Sequence, residues 1–220
     1  SYMCKSSVIG LDAKSAREYP AHLAYKNKIR VSKEMHAIER QKLLLASALG
    51  YETNTENNDY GISKVNFKKP LEMPSYNYAI CVQNASWITK QWPIESWKEL
   101  LRILEKRDIN LLFPSGNQEE FDRANEICSV SEKALALEVL PLNEIAFWID
   151  NSEFTLCSDT GLAHLSAVVG TPSLTLYGPT DTRLIGTYGK DQNHFVSPDS
   201  NISKISVEDV LTKLENLNFI

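Results

Sequence analysis

The sequence predicts an α/β fold whose main body is a parallel, doubly wound sheet covered by helices on both faces. From Tyr76 onward, short apolar runs alternate with segments of helical periodicity, and Pro, Gly, Asn or Asp stand where one hands over to the next. Within that series, residues 154–177 read as strand, polar-Gly turn, helix and strand, the pattern of one β-α-β unit.

In chain order, residues 7–11 are expected to form a first strand. A helix is expected over residues 33–49, capped by Ser32, with Met35, Ile38, Leu45 and Leu49 on its apolar face and Gly50 ending it. Residues 51–74 are polar, carry the turn residues Asn57-Asn58-Asp59 and Tyr60-Gly61, and show little periodicity. They read as a linker with one short strand at residues 64–67. The regular part then predicts strands at residues 78–82, 109–113, 134–139, 154–158 and 173–177, and a short one at 194–196. Helices are expected at residues 94–106 (opened by Pro93), 118–128, 142–150, 162–169 and 207–217, with a loop running to Gly189.

With 220 residues, 43% hydrophobic and 23% charged, the chain can bury a sizeable core as a globular protein. The net charge of -5 gives no reason to propose nucleic-acid binding. Locally the balance differs: residues 14–42 hold eight Lys or Arg against Glu18, Glu34 and Glu39. Such an excess suits an acidic ligand or an anionic membrane surface, and equally an ordinary solvated basic helix. No apolar run approaches the roughly 20 residues of a membrane-spanning helix. Nor is there a signal-peptide pattern. Cys4, Cys81, Cys128 and Cys157 are widely spaced, so buried free thiols in a reducing compartment are expected.

A ligand of such a sheet lies across the loops that follow its strands. Those loops hold Ser86 and Lys90, Gly116 and Glu120, Leu140, the Asp159-Thr160-Gly161 turn with His164, and Gly178-Pro179-Thr180. A point cation, hydroxyl donors and a helix N-terminus suit a diphosphate. Glu120, on the first turn of its helix, can accept both hydroxyls of a ribose or simply complement the helix dipole. Lys90 reads equally as a solvated loop lysine, Asp159 as a helix cap, and His164 as a satisfied core histidine. No G-x-G-x-x-G follows a strand and no G-x-x-x-x-G-K-[ST] occurs, against a dinucleotide oxidoreductase or a P-loop enzyme. His22, His36, His164 and His194 show no metal-ligand spacing. No D-x-D occurs, so a leaving diphosphate would be met by Lys90 and backbone N–H groups.

Two runs, Ser158-Asp159-Thr160-Gly161-Leu162-Ala163-His164-Leu165 and Leu176-Tyr177-Gly178-Pro179-Thr180-Asp181, closely resemble the signature of the ADP-heptose glycosyltransferases, glycosyltransferase family 9. Ser15-Ala16-Arg17-Glu18, His36-Ala37-Ile38-Glu39-Arg40, Lys90-Gln91-Trp92-Pro93 and Leu184-Ile185-Gly186-Thr187-Tyr188-Gly189-Lys190 extend the resemblance over almost the whole chain. They favour the branch that adds heptose to a Kdo sugar. The resemblance implies a GT-B architecture of two facing Rossmann-like lobes. Residues 1–60 would be the rear part of the N-terminal, acceptor-side lobe, 61–75 a linker, and 76–220 a complete C-terminal nucleotide-sugar lobe. The closing helix of that lobe would be free to pack back on the first.

The implied reaction is inverting, metal-independent transfer of L-glycero-D-manno-heptose from ADP-heptose to Kdo-lipid A, at the cytoplasmic face of the inner membrane of a Gram-negative bacterium. No cofactor is implied, and the membrane contact would be peripheral. By the same resemblance Ser86 and Lys90 would meet the diphosphate, Glu120 the ribose and Leu140 the adenine side. Asp159, Thr160, Gly161, Leu162 and His164 would line the diphosphate and heptose, and Arg17 and Arg40 would face the anionic acceptor. Three departures stand out. Ala85-Ser86 replaces two hydroxyl residues, Thr182 stands where proline is usual, and the strand and Gly-Asp loop that bring the family's catalytic aspartate are not matched. That base is therefore expected upstream of Ser1. A nucleotide-diphosphate-sugar binding module without activity of its own and a sugar-nucleotide epimerase of similar fold are the alternatives.

Overall fold

In the computed structural model, which describes residues 7–53 and 60–220, a first strand β1 (Ile9–Leu11) pairs in parallel with a second, β2 (Asn27–Ile29). Between them Asp12 closes a tight turn by accepting the N–H groups of Lys14 and Ser15 at 3.1 and 2.8 Å. The Ser15 hydroxyl accepts the Val31 N–H at 2.8 Å and so ties the chain after β2 back to that turn. Gly10 is set by packing, since a Cβ there would lie 2.4 Å from the Tyr25 ring. β2 was not expected, because Asn27-Lys28-Ile29 offers one apolar residue and no periodicity.

Helix α1 (Ala37–Leu49) begins later than the expected residue 33. Ser32 spends its hydroxyl locally, accepting the Glu34 N–H at 3.2 Å, and the cap falls to His36, whose Nδ1 accepts the Ile38 N–H at 3.3 Å. Gly50 ends the helix at φ 73°, in the left-handed region. These elements form one compact unit, Ser1–Asn58 with Arg183–Gly186, and the rest form a second, Asp59–Thr182 with Thr187–Ile220. Within the first unit, His36 Nε2 lies 3.0 Å from the Gly186 carbonyl. Cys4 and the expected turn at residues 57–59 lie outside the described residues.

The second unit alternates β3 (Tyr78–Val82), α2 (Ile94–Glu105), β4 (Asn110–Ser115), α3 (Gln118–Cys128), β5 (Ala134–Val139), α4 (Leu142–Asp150), β6 (Thr155–Ser158), α5 (Gly161–Val169) and β7 (Ser173–Tyr177). It continues with α6 (Thr182–Ile185), which crosses into the first unit, then β8 (Gln192–Val196) and α7 (Val207–Asn216). The one-turn α6 was expected as loop. The six strands are all parallel, in the order β5-β4-β3-β6-β7-β8. The expected strand at residues 64–67 is a 3-10 turn, Lys64–Asn66. There the chain runs over α4, with Phe67 packed on the core and the Lys68 N–H bonded to the Asn143 carbonyl at 3.2 Å, so no strand edge is within reach.

Two cores sandwich the sheet. Along β3, Ala79 and Cys81 face one, and Tyr78, Ile80 and Val82 face the other, so all five residues are buried. A strand apolar on both faces is what the interior of a parallel sheet demands. On the first face α2 contributes Trp97, Leu100, Leu101 and Leu104 at helical spacing, all at most 1% exposed. Trp92, Trp97 and Phe113 meet edge-on there, with centroid distances of 5.1 and 5.7 Å. α7 commits its apolar face to the same core through Val207, Val210 and Leu214. Cys81, Cys128 and Cys157 are buried free thiols. Among the described residues, no helix is long and apolar enough to cross a membrane.

Candidate functional site

Strand order reverses between β3 and β6: β4 lies outward of β3, and β7 outward of β6. Loops leaving the carboxyl ends of these two strands diverge to opposite sides and open a crevice, the usual ligand site of a doubly wound sheet. β3 delivers Gln83, Asn84 and the loop to Trp92; β6 delivers Asp159, Thr160 and the start of α5.

The α5 end is open. Thr160 is its N-cap in an extended conformation, and its side chain makes no capping bond. Gly161 is exposed, with nothing within 4 Å of where a Cβ would stand, so the backbone can be approached directly. The Ala163 N–H is taken by the Thr160 carbonyl at 3.1 Å, and a helix start left open before it, at Gly161 and Leu162, is the arrangement that receives a phosphate.

Asp159 does not cap this helix. It is 8% exposed, and its Oδ2 accepts both Lys90 Nζ, at 2.8 Å, and the Thr180 hydroxyl. Lys90 is thus held over the helix start on a rigid root instead of trailing in solvent. That root is tied by Gln91 Nε2 to the Ala85 carbonyl at 2.8 Å and by Trp92 Nε1 to the Ile205 carbonyl at 2.9 Å. Gly178 permits the close approach of the loop carrying Thr180: a Cβ on it would stand 3.0 Å from the Ile202 nitrogen and 3.3 Å from the Thr89 carbonyl.

Beside this polar corner lies a cavity of about 320 Å³. Glu120, Leu140, Thr160 and Leu162 line it, as do Val82, Asn84, Pro114, Gly116, Leu142 and Ile145. Glu120 sits on the first turn of α3, whose N-cap Asn117 accepts the Glu120 N–H at 2.9 Å. Its Oε2 accepts the Gly116 N–H at 2.8 Å, which pins the carboxylate across the loop. The cavity's other wall is apolar, from Leu140, Leu142 and Ile145. Among the described residues, that wall holds neither Ser86, which is exposed on its loop, nor His164, which is half-buried on α5.

Arg17 and Arg40 belong to the first unit. Arg17 is exposed, whereas Arg40 is only 5% exposed, with one guanidinium nitrogen donating to the Ser15 carbonyl at 2.6 Å and its buried Nε unpartnered. Burial chiefly, and then the Arg17 charge, push its pKa below the ordinary arginine value. Among the described residues, no group of three or more His, Cys, Asp or Glu side chains is placed to hold a metal ion. Sequence reasoning passed over Gln83, Asn84 and Arg123. A fully buried glutamine directly after an apolar strand was the available signal for Gln83.

A family model described as glycosyltransferase family 9 (heptosyltransferase) matches residues 1–215, and the chain belongs to that family. Lipopolysaccharide heptosyltransferase 1 of Escherichia coli (strain K12) is 36% identical over 211 residues, 94% of this chain and 65% of that protein. The protein of the same name from Salmonella typhimurium is 34% identical over 205 residues, 93% of this chain and 64% of that protein. The chain therefore spans just under two thirds of these curated relatives. The solved structure of E. coli heptosyltransferase WaaC with ADP superimposes with a TM-score of 0.85 at 32% identity, covering 95% of this chain and 65% of that one.

Proposed function

We propose that the chain is the donor-binding part of an inverting glycosyltransferase that moves heptose from ADP-heptose to a Kdo sugar of the lipopolysaccharide inner core. One observation carries this reading. An uncapped helix N-terminus, a fixed Lys90 and a cavity with one carboxylate and one apolar wall meet at the reversal point of the sheet. In this reading adenine lies against Leu140, Leu142 and Ile145, Glu120 Oε1 takes the ribose hydroxyls, and the diphosphate rests on the Gly161 and Leu162 N–H groups and Lys90. Ser86 approaches the phosphates when donor binds. Asp159, with His164, turns toward the heptose hydroxyls. Negative charge developing on the leaving diphosphate is met by Lys90 and the helix end, without a divalent metal. That a solved relative carries ADP, and another structure of WaaC carries ADP-2-deoxy-2-fluoro heptose, supports the donor class.

The acceptor side falls to Arg17 and Arg40 in the first unit, where a buried cation with an unpartnered Nε beside a second cation favours an anionic sugar. An anionic acceptor on lipid A would bring the protein to the cytoplasmic face of the inner membrane as a peripheral visitor. Calorimetry with ADP, UDP and ADP-heptose, in EDTA and again in magnesium, tests the proposal. ADP and ADP-heptose should bind in EDTA and UDP at least tenfold more weakly; equal affinity for UDP, or an absolute magnesium requirement, overturns it.

A further inference from the structure

The two ends of the proposed donor site sit on different elements, Lys90 on the loop after β3 and Glu120 on α3, and one side chain joins them. Arg123 lies one turn beyond Glu120 on α3. Its Nε donates to Gln83 Oε1, and a terminal nitrogen donates to the Trp92 carbonyl at 3.1 Å. Gln83 is 0% exposed and passes the contact on: its Nε2 donates to the Glu120 carbonyl at 3.2 Å. The guanidinium therefore touches the root of the Lys90 loop with one arm and, through Gln83, the first turn of α3 with the other. Both hydrogen-bond acceptors are neutral oxygens, and burial lowers the pKa of Arg123 by more than the nearby Glu126 charge raises it. A half-buried cation held by neutral partners is a costly way to fill space. A planar fork with two fixed donor directions is well suited to setting a distance.

We propose that Arg123 is a positioning residue for nucleoside-diphosphate recognition: it sets the spacing between the ribose-binding Glu120 and the phosphate-binding loop of Lys90. This rests on the donor-site reading above. The two arms have separable consequences. The arm through Gln83 holds Glu120 and should govern how strongly the ribose hydroxyls count. The arm to Trp92 holds the Lys90 loop and should govern how much the second phosphate adds.

The experiment is calorimetry on the full 220-residue chain with ADP, 2′,3′-dideoxy-ADP and AMP, for the wild type, Arg123→Met, Arg123→Lys and Gln83→Met. In the wild type, losing the hydroxyls or the β-phosphate should each weaken binding about tenfold or more, as for hydrogen bonds to charged groups. In Arg123→Met both penalties should fall below about threefold, and Arg123→Lys, with a point charge in place of the fork, should not restore them. Gln83→Met should lose the hydroxyl penalty and keep the phosphate increment, a split that a general loss of stability does not produce. It also supplies the test should Arg123→Met fail to fold. Wild-type penalties for both ligands in Arg123→Met, or in Gln83→Met a hydroxyl penalty unchanged from wild type, overturn the positioning role while leaving the donor site intact. A wild type indifferent to the ribose hydroxyls overturns the ribose role of Glu120 and this inference with it.

Discussion

The ion pair between Lys90 and Asp159 makes a prediction that neither residue makes alone. With Nζ 2.8 Å from Oδ2 and Asp159 8% exposed, the carboxylate depends on Lys90 for its compensation. A diphosphate arriving at the start of α5 must share that lysine. Lys90→Ala would then cost ADP binding twice. The lost charged hydrogen bond accounts for about 1.5–3 kcal/mol. The uncovered Asp159 adds repulsion, about 3 kcal/mol for two unit charges about 6 Å apart at an effective dielectric of 20 and less at physiological salt. We predict a combined loss of about 4 kcal/mol, close to a thousandfold. Adding Asp159→Asn should recover about half of it, and Asp159→Asn alone should leave ADP affinity within about threefold of wild type or raise it, since asparagine keeps an acceptor for Lys90 and removes the repulsive charge. The same variant should lose the extra affinity that heptose gives to ADP-heptose. Titrations at low and moderate salt, with Lys98→Ala as a control whose ammonium bridges Glu95 and Glu126, read all of this. A double variant that binds ADP more weakly than Lys90→Ala would refute the reasoning, because Asp159 would then be aiding the diphosphate.

Further outcomes follow from individual contacts. Gly116→Ala sets a Cβ 3.3 Å from Glu120 Oε2, so it should shift that carboxylate and weaken ADP several-fold with little change in the urea midpoint. Gly178→Ala meets backbone at 3.0 Å and should instead lower stability by about 1–3 kcal/mol, seen in the same urea titration. Burial pushes the Tyr78 and Tyr177 hydroxyls and the Cys128 and Cys157 thiols up to about 12. Unfolded, these groups lose protons from near pH 9 for the thiols and near pH 10 for the phenols, while the folded protein retains them. Their contribution to stability should therefore be constant below pH 8 and fall between pH 9 and 12 by about 1.4 kcal/mol per pH unit for each group engaged; a urea midpoint unchanged at pH 11 would contradict it. Assayed alone with ADP-heptose and Kdo-lipid A, the 220-residue chain should bind donor without appreciable transfer. Glu120 is bonded to Gly116 and Asp159 to Lys90 and Thr180, leaving neither poised to take the acceptor's proton.

The fold of the second unit was legible because the inner parallel strands, buried on both faces, are short, continuous and apolar, and α2, α3, α4 and α5 each open at a Pro, Asn or Gly. Every expected strand and helix from residue 78 onward falls within two residues of its observed bounds. Local competition spoiled the first unit: Ser32 and His36 are both plausible caps, and only the fold decides which one the helix uses. β2 and α6 were invisible because three or four residues carry no period. Glu120, Leu140 and Thr160 could be picked out because they follow strand ends, and Leu162 through the family resemblance; the structure places all four around one cavity. The Lys90–Asp159 pair and the Arg123–Gln83–Glu120 relay link residues far apart in sequence, and a spacing rule cannot reach them.

The strand order also governs how the chain reaches its fold. β3 is completed on one side by β4, soon after it, but on the other only by β6, and Trp92 finds its hydrogen-bond acceptor 113 residues downstream at Ile205. No hairpin can form first in an all-parallel sheet, and each closure brings together segments separated by a whole helix. Folding should accordingly be slow for its size and should finish late in synthesis. Until β6 arrives, the edge of Tyr-Ala-Ile-Cys-Val, apolar on both faces, lies open to any passing strand. Refolding yield should thus depend steeply on protein concentration, and a nascent chain halted before residue 155 should be a chaperone substrate.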